Sequence, residues 1–218
     1  MTADAPTPRG RELVRGAFDL HIHVDPDVVG RSVDDVTLAE QCRKRGLAGF
    51  GLKSHYTSTA ERARVVNRVV PEVRAIGAIT LNAAVGGLNP LAVEIAAREG
   101  ARIVWLPTVD AVNEASARDR EYPPGAHVPM WVAIQRELRD AGMEPPAVPV
   151  VDEDNQPLPE LHAVLAVVER HQLVLATGHL ARDEIFAVVD AALAAGIRDV
   201  VVTHPEFTSQ DLSIDDQR

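Results

Sequence analysis

Two rhythms run along the chain, strict alternation of apolar and polar residues in short stretches and three-to-four-residue apolar spacing in longer ones. The first alternating stretch is Phe18-Asp19-Leu20-His21-Ile22-His23-Val24-Asp25. It predicts a strand with Phe18, Leu20, Ile22 and Val24 on one face and Asp19, His21, His23 and Asp25 on the other. After a short loop through Gly30 and Arg31, Ser32 and Asp35 mark a helix start, and Val36, Leu38, Ala39 and Cys42 continue it to a stop at Gly46. A second strand follows over residues 47–55. A helix capped within 57–59 then runs through Val65, Val66 and Val69 to Pro71. Residues 75–82 predict a third strand. Asn89-Pro90 opens a helix that stops at Gly100, and residues 102–107 predict a fourth strand. Strand and helix in regular alternation imply parallel strands joined by crossover helices.

The rhythm lapses over residues 109–160, an excursion with a helical stretch at 131–139 and a Pro-interrupted run at 148–151. That run is expected to form a small hairpin-like turn with 152–155 rather than a sheet strand. The alternation resumes with a helix at 160–171, a strand at 173–177, a helix at 183–195 and a strand at 200–204. Residues 213–216 resemble a helix N-terminus that runs out at Arg218, which suggests a C-terminally truncated version of a longer barrel. Residues 1–12 read as a flexible leader and 13–218 as a single α/β domain.

Composition narrows the classes. The 218 residues are 46% hydrophobic with a formal net charge of −10, enough for one substantial core. An acidic balance argues against nucleic acid as a partner. No apolar run approaches the roughly 18–20 residues of a membrane span, and no signal peptide is evident. The single cysteine, Cys42, fits a reducing, cytoplasmic compartment and a buried apolar role. The expected partner is a small-molecule substrate, with homo-oligomerisation open.

In parallel α/β folds the chemistry gathers at the carboxyl ends of the strands. There the first strand places His21 and His23, the second Lys53 and His55, the fifth His179 and the sixth His204. A lone histidine at such a place is ordinarily a hydrogen-bonded loop residue. Five at equivalent places predict a divalent-metal site, Zn²⁺ above all, with one or two ions. His127, His162 and His171 read as structural or solvated. Lys53 is a ligand, an electrophile or an ion-pair partner of an acid such as Asp25. Asp25 and Glu206 are candidates for the proton-transferring base; Arg31 reads as a solvated loop arginine, with a substrate anion as the alternative.

The motifs Phe-Asp-Leu-His-Ile-His at 18–23, Gly-Leu-Lys-Ser-His-Tyr at 51–56, Ala-Thr-Gly-His-Leu at 176–180 and Thr-His-Pro-Glu at 203–206 resemble those of the amidohydrolase superfamily, and closely those of an uncharacterised family within it. The resemblance implies a (β/α)₈ TIM-barrel-like fold, here incomplete with about six of eight strand-helix units. It also implies that His21, His23, His179 and His204 take the superfamily's four histidine positions. The fourth strand lacks the bridging Lys or Glu, and the superfamily's eighth-strand Asp has no counterpart. The implied activity is metal-assisted hydrolysis of an amide, lactone or ester. A metal-dependent phosphoesterase, a decarboxylase, or a non-catalytic barrel relative are the alternatives.

Overall fold

The computed structural model describes residues 7–123, 125–126 and 128–218, so the expectation for His127 lies outside the described residues. In chain order the elements are α1 (Pro8–Leu13), β1 (Phe18–Ile22), α2 (Asp35–Arg45), β2 (Gly49–Leu52), α3 (Ala60–Val69), β3 (Arg74–Thr80), α4 (Pro90–Glu99) and β4 (Ala101–Trp105). There follow α5 (Ala115–Asp119), α6 (Met130–Asp140), α7 (Pro159–Arg170), β5 (Val174–Ala176), α8 (Arg182–Ala194) and β6 (Val200–Val201). Their ends follow cap chemistry. Asp34, rather than Ser32, caps α2 by accepting from the Thr37 N–H, and Gly46 closes it with a left-handed φ. Asn89 caps α4 through the Ala92 N–H with Pro90 in the first turn.

All six strands are parallel and pair in the order β1-β2-β3-β4-β5-β6. This corrects the (β/α)₈ expectation: the sheet is a half-barrel of six strands, and among the described residues its ladder ends at β1 and β6. Alternating strand and helix patterns determine that neighbours are parallel. They carry no information about whether the two edges meet, which depends on strand number and stagger. The last strand is also shorter than its apolar run, pairing only over Val200 and Val201.

Alternate residues divide between two faces. Phe50, Leu52, Val104, Leu106 and Leu175 are fully buried on the outer face against the helices. The inner face carries a smaller cluster, Ala78, Ile103, Trp105 and Ala176, with Ile76 and Val174 beside it. Among its described residues the excursion adds no strand. Val148 and Val151 make only isolated bridges, to Ala111 and Pro157, and the Asp152 N–H donates to Gln156 O at 2.9 Å as the turn closes. Val150 is nonetheless fully buried in the main core. The last residues form hydrogen-bonded turns rather than a helix, with Ser213 bonded to Asp216. Among the described residues no helix is long and apolar enough to cross a membrane.

Candidate functional site

The alternation expected along β1 breaks once. Asp19 pairs with Phe50 and Ile22 with Leu52, so two residues, Leu20 and His21, oppose the single Gly51. This is a β-bulge, which re-aims the side chains beyond it. Leu20 and His21 consequently line the same inner cavity of about 100 Å³, while Ile22 and Val24 turn to the helix side with Phe50 and Leu52. Gly51 permits the bulge: a Cβ there would stand 2.5 Å from the Leu20 carbonyl oxygen. A strand that read as one uniform face therefore delivers His21 inward only because it is irregular.

The five histidines at the strand ends converge into a closed circuit. Ring centroids are 5.4 Å apart for His21–His23, 4.7 Å for His23–His55, 6.2 Å for His55–His179, 5.6 Å for His179–His204 and 4.8 Å for His204–His21. The last contact joins residues from the two edges of the sheet, so the half-barrel curls enough at this end to bring them together. Trp105 lies beneath, 5.5 Å from the His21 ring. Lys53 enters from β2, its Nζ 3.1 Å from His21 Nε2 and 5.1 Å from the Trp105 ring centroid. Phe207 stacks on His204 at 4.3 Å.

Burial governs the protonation states. Desolvation, reinforced by the Lys53 charge and by neighbouring imidazoles, lowers His21 to about 2. Burial, then Lys53 and Arg31, lowers His23 to about 3, and burial with His179 and Lys53 lowers His204 to about 4. His55 falls well below the ordinary imidazole range, again chiefly by burial. All of these imidazoles are thus neutral near pH 7, the form that ligates metal. Lys53 is itself lowered to about 7 by burial. Among the described residues no carboxylate lies within ion-pair distance of it, so the expected pairing with Asp25 is not made.

The surroundings set the positions of His55, His179 and His204. The His55 Nδ1 is 2.8 Å from Thr108 Oγ1, and Asn82 Nδ2 donates both to that oxygen and to the His55 carbonyl, each at 2.8 Å. In the tautomer that ligation needs, the hydroxyl accepts from His55 Nδ1–H and leaves Nε2 free. Gly178 sets His179: at φ +66° it lies so close to strand β4 that a Cβ would meet the Pro107 carbonyl oxygen at 2.3 Å. The His179 N–H then donates to Pro107 O at 2.9 Å. His204 takes φ +49°, a costly conformation for a residue with a side chain, and strain of this kind gathers at functional sites.

The excursion contributes as well. Its 3₁₀ turn, Val112–Glu114, projects the buried Glu114 toward His179. One carboxylate oxygen lies 2.9 Å from His179 Nδ1, at an angle short of a well-aligned hydrogen bond. The adjacent Asn113 donates to the His179 carbonyl at 3.1 Å and the Ser209 carbonyl at 2.6 Å, fastening the loops after β5 and β6 to each other. Asp110 ties the excursion down, accepting from the Ala83 N–H at 2.8 Å and from the fully buried Gln135 at 2.6 Å.

Other expected participants go elsewhere. Asp25 accepts from the Arg31 backbone N–H at 3.1 Å. Arg31 pairs with Asp27 at 2.6 Å, although its charge reaches His23. Glu206 is exposed, and no hydrogen bond of the described residues joins it to the imidazoles. His171 bonds Glu94 at 2.8 Å and His162 is exposed, in keeping with structural and solvated roles. Sequence reading missed Glu114, Thr108 and Trp105 as members of the site. Trp105 ends β4 and Thr108 lies just past it, whereas Glu114 comes from the 3₁₀ turn of the excursion; only the strand-end position of the first two hinted at the site.

Neutral imidazoles are the form that binds divalent transition metals, and among the described residues His23 Nδ1 is buried with no partner. Among the described residues no three His, Cys, Asp or Glu side chains stand preset at metal-binding spacing. Holding one ion would need the rings to turn, since their centroids stand 4.7 Å (His23–His55) to 6.2 Å (His55–His179) apart.

Residues 16–218 match the model of a family of unknown function, DUF6282, and the chain belongs to that family. No curated protein matches it.

Proposed function

We propose that this protein is a metal-dependent hydrolase of the amidohydrolase type, cleaving an amide, lactone or related ester of a small molecule. The observation that carries the reading is the circuit of five imidazoles, each lowered in pKa chiefly by burial and so neutral near pH 7, with the buried Lys53 against His21, at the carboxyl end of a parallel sheet. The motif resemblance at residues 18–23, 51–56, 176–180 and 203–206 supports it independently. When bound, a divalent ion, most readily Zn²⁺, supplies an acidified water and a polarised carbonyl.

The chain's own residues divide the remaining work. His21, His23, His55, His179 and His204 offer the nitrogen donors. Trp105, buried below them, keeps bulk water from the inner side. Lys53 is the group placed to move a proton, because burial brings its amine to about 7, near the operating pH where acid–base exchange is most effective. It replaces Asp25 and Glu206 in that role, since neither is hydrogen-bonded to the circuit.

The test is turnover of a panel of amides, lactones and esters by protein stripped with a chelator and then reloaded with Zn²⁺. The reading expects turnover that vanishes on stripping and returns on reloading, and that is absent in His21→Ala/His23→Ala. Undiminished turnover by stripped protein, or no turnover by reloaded protein, contradicts it. Release of phosphate or carbon dioxide from added phosphoesters or carboxylates would transfer the site to a different reaction class.

A further inference from the structure

A carboxylate buried without a cationic partner is expensive, and chains retain one where it holds another group in place. Among the described residues Glu114 is such a residue. It is 5% exposed, and its nearest partners are His179 Nδ1 at 2.9 Å and Ser209 Oγ at 3.4 Å. The Ser209 hydroxyl has one proton, and Gln210 Oε1 at 3.1 Å is the nearer acceptor for it. The imidazole N–H is therefore the main donor available to Glu114. The backbone is built for this meeting. Asn113, next in the chain, clamps the His179 and Ser209 carbonyls, so the carboxylate and the imidazole cannot drift apart independently.

We propose that Glu114 is a positioning residue for His179, accepting a hydrogen bond from Nδ1–H and so fixing the tautomer that turns the Nε2 lone pair toward the other four imidazoles. The proposal deepens the metal-site reading and assigns a task to the excursion, whose 3₁₀ turn supplies the carboxylate. A small rotation of the imidazole is enough to align a contact already at hydrogen-bonding distance. A ligating histidine commonly donates its other ring N–H to a carboxylate, which orients the ring and makes the free nitrogen more basic. Glu114 does not touch substrate in this scheme and acts only through His179.

The experiment is long-range ¹H–¹⁵N correlation of the imidazoles in the full-length, metal-free protein, followed by Zn²⁺ titration. Wild type is expected to show His179 as the Nδ1–H tautomer. Glu114→Gln, which keeps an acceptor oxygen, retains it, and Glu114→Leu shifts His179 toward Nε2–H and weakens zinc binding about 10- to 100-fold. A wild-type His179 protonated on Nε2 overturns the proposal without need of any variant that folds. So does a tautomer unchanged in folded Glu114→Leu. An Nδ1–H tautomer in a protein that takes up no zinc would uphold the positioning role while removing the hydrolase reading, so the two fail separately.

Discussion

The two faces of the sheet are made from neighbouring residues of the same strands, yet they obey opposite rules. On the outer face Leu52, Val104 and Leu175 have at most 1% of their surface exposed and touch other apolar side chains. One position along, on the inner face, Lys53 and Trp105 are just as buried, at 2% each. There, among the described residues, a lysine has no counter-ion, and the Trp105 Nε1 and His23 Nδ1 have no hydrogen-bond partner. Burial on the outer face stabilises; burial on the inner face is a cost that the outer face offsets. Polar groups are left unsatisfied in a folded protein chiefly where function needs them.

That contrast predicts opposite outcomes for substitutions that are equally buried. The largest effect is expected from Leu175→Ala, which opens a cavity in the main core and lowers unfolding free energy by about 2–5 kcal/mol in urea titration. Its zinc affinity is unchanged where it remains folded. Lys53→Met should do the reverse. Replacing a buried amine that lacks a counter-ion among the described residues by an apolar chain stabilises the metal-free protein by about 1–3 kcal/mol in the same titration. Turnover on the hydrolase panel falls by roughly 10²–10⁴. A destabilised Lys53→Met would place the lysine among the structural residues and erase the distinction between the faces.

Acid should act through the inner face. His23 and His204, lowered to about 3 and about 4 against an ordinary 6.5, bind protons more readily unfolded than folded. The metal-free protein therefore loses stability as pH falls from about 6.5 toward the folded values. Lys53, at about 7 against 10.5, adds stability as pH rises between those values. Melting temperature is thus expected to be higher at about pH 9 than at about pH 5, with the slope reduced in His21→Ala/His23→Ala. The smallest effect belongs to the solvent side: Lys44→Ala, whose pairing with Glu40 is exposed and 4.0 Å long, shifts stability by no more than about 0.5 kcal/mol and leaves zinc binding intact.

The sequence carried the parallel strands and the strand-end location of His21, His23, His55, His179 and His204, because alternation and loop position are local patterns. Three features escaped it, all set by contacts between distant segments. Closure of the sheet depends on how β1 and β6 sit, so the (β/α)₈ expectation outran what periodicity contains. The bulge at Leu20 and His21 arises from the match with Gly51 across the ladder. Glu114 meets His179 from 65 residues away in the chain, within an excursion whose irregular pattern says nothing of where its side chains go. Asp25 and Glu206 lie near the histidines in sequence, and side-chain direction takes them elsewhere.

Quantitative metal analysis of purified wild type titrated with Zn²⁺, beside His21→Ala/His23→Ala, tests the central claim most directly. The account predicts saturable uptake of one or two ions per chain in wild type, and a loss of that uptake in a variant that melts cooperatively. Wild-type protein that binds no zinc, or a double variant that binds it as wild type does, would contradict it.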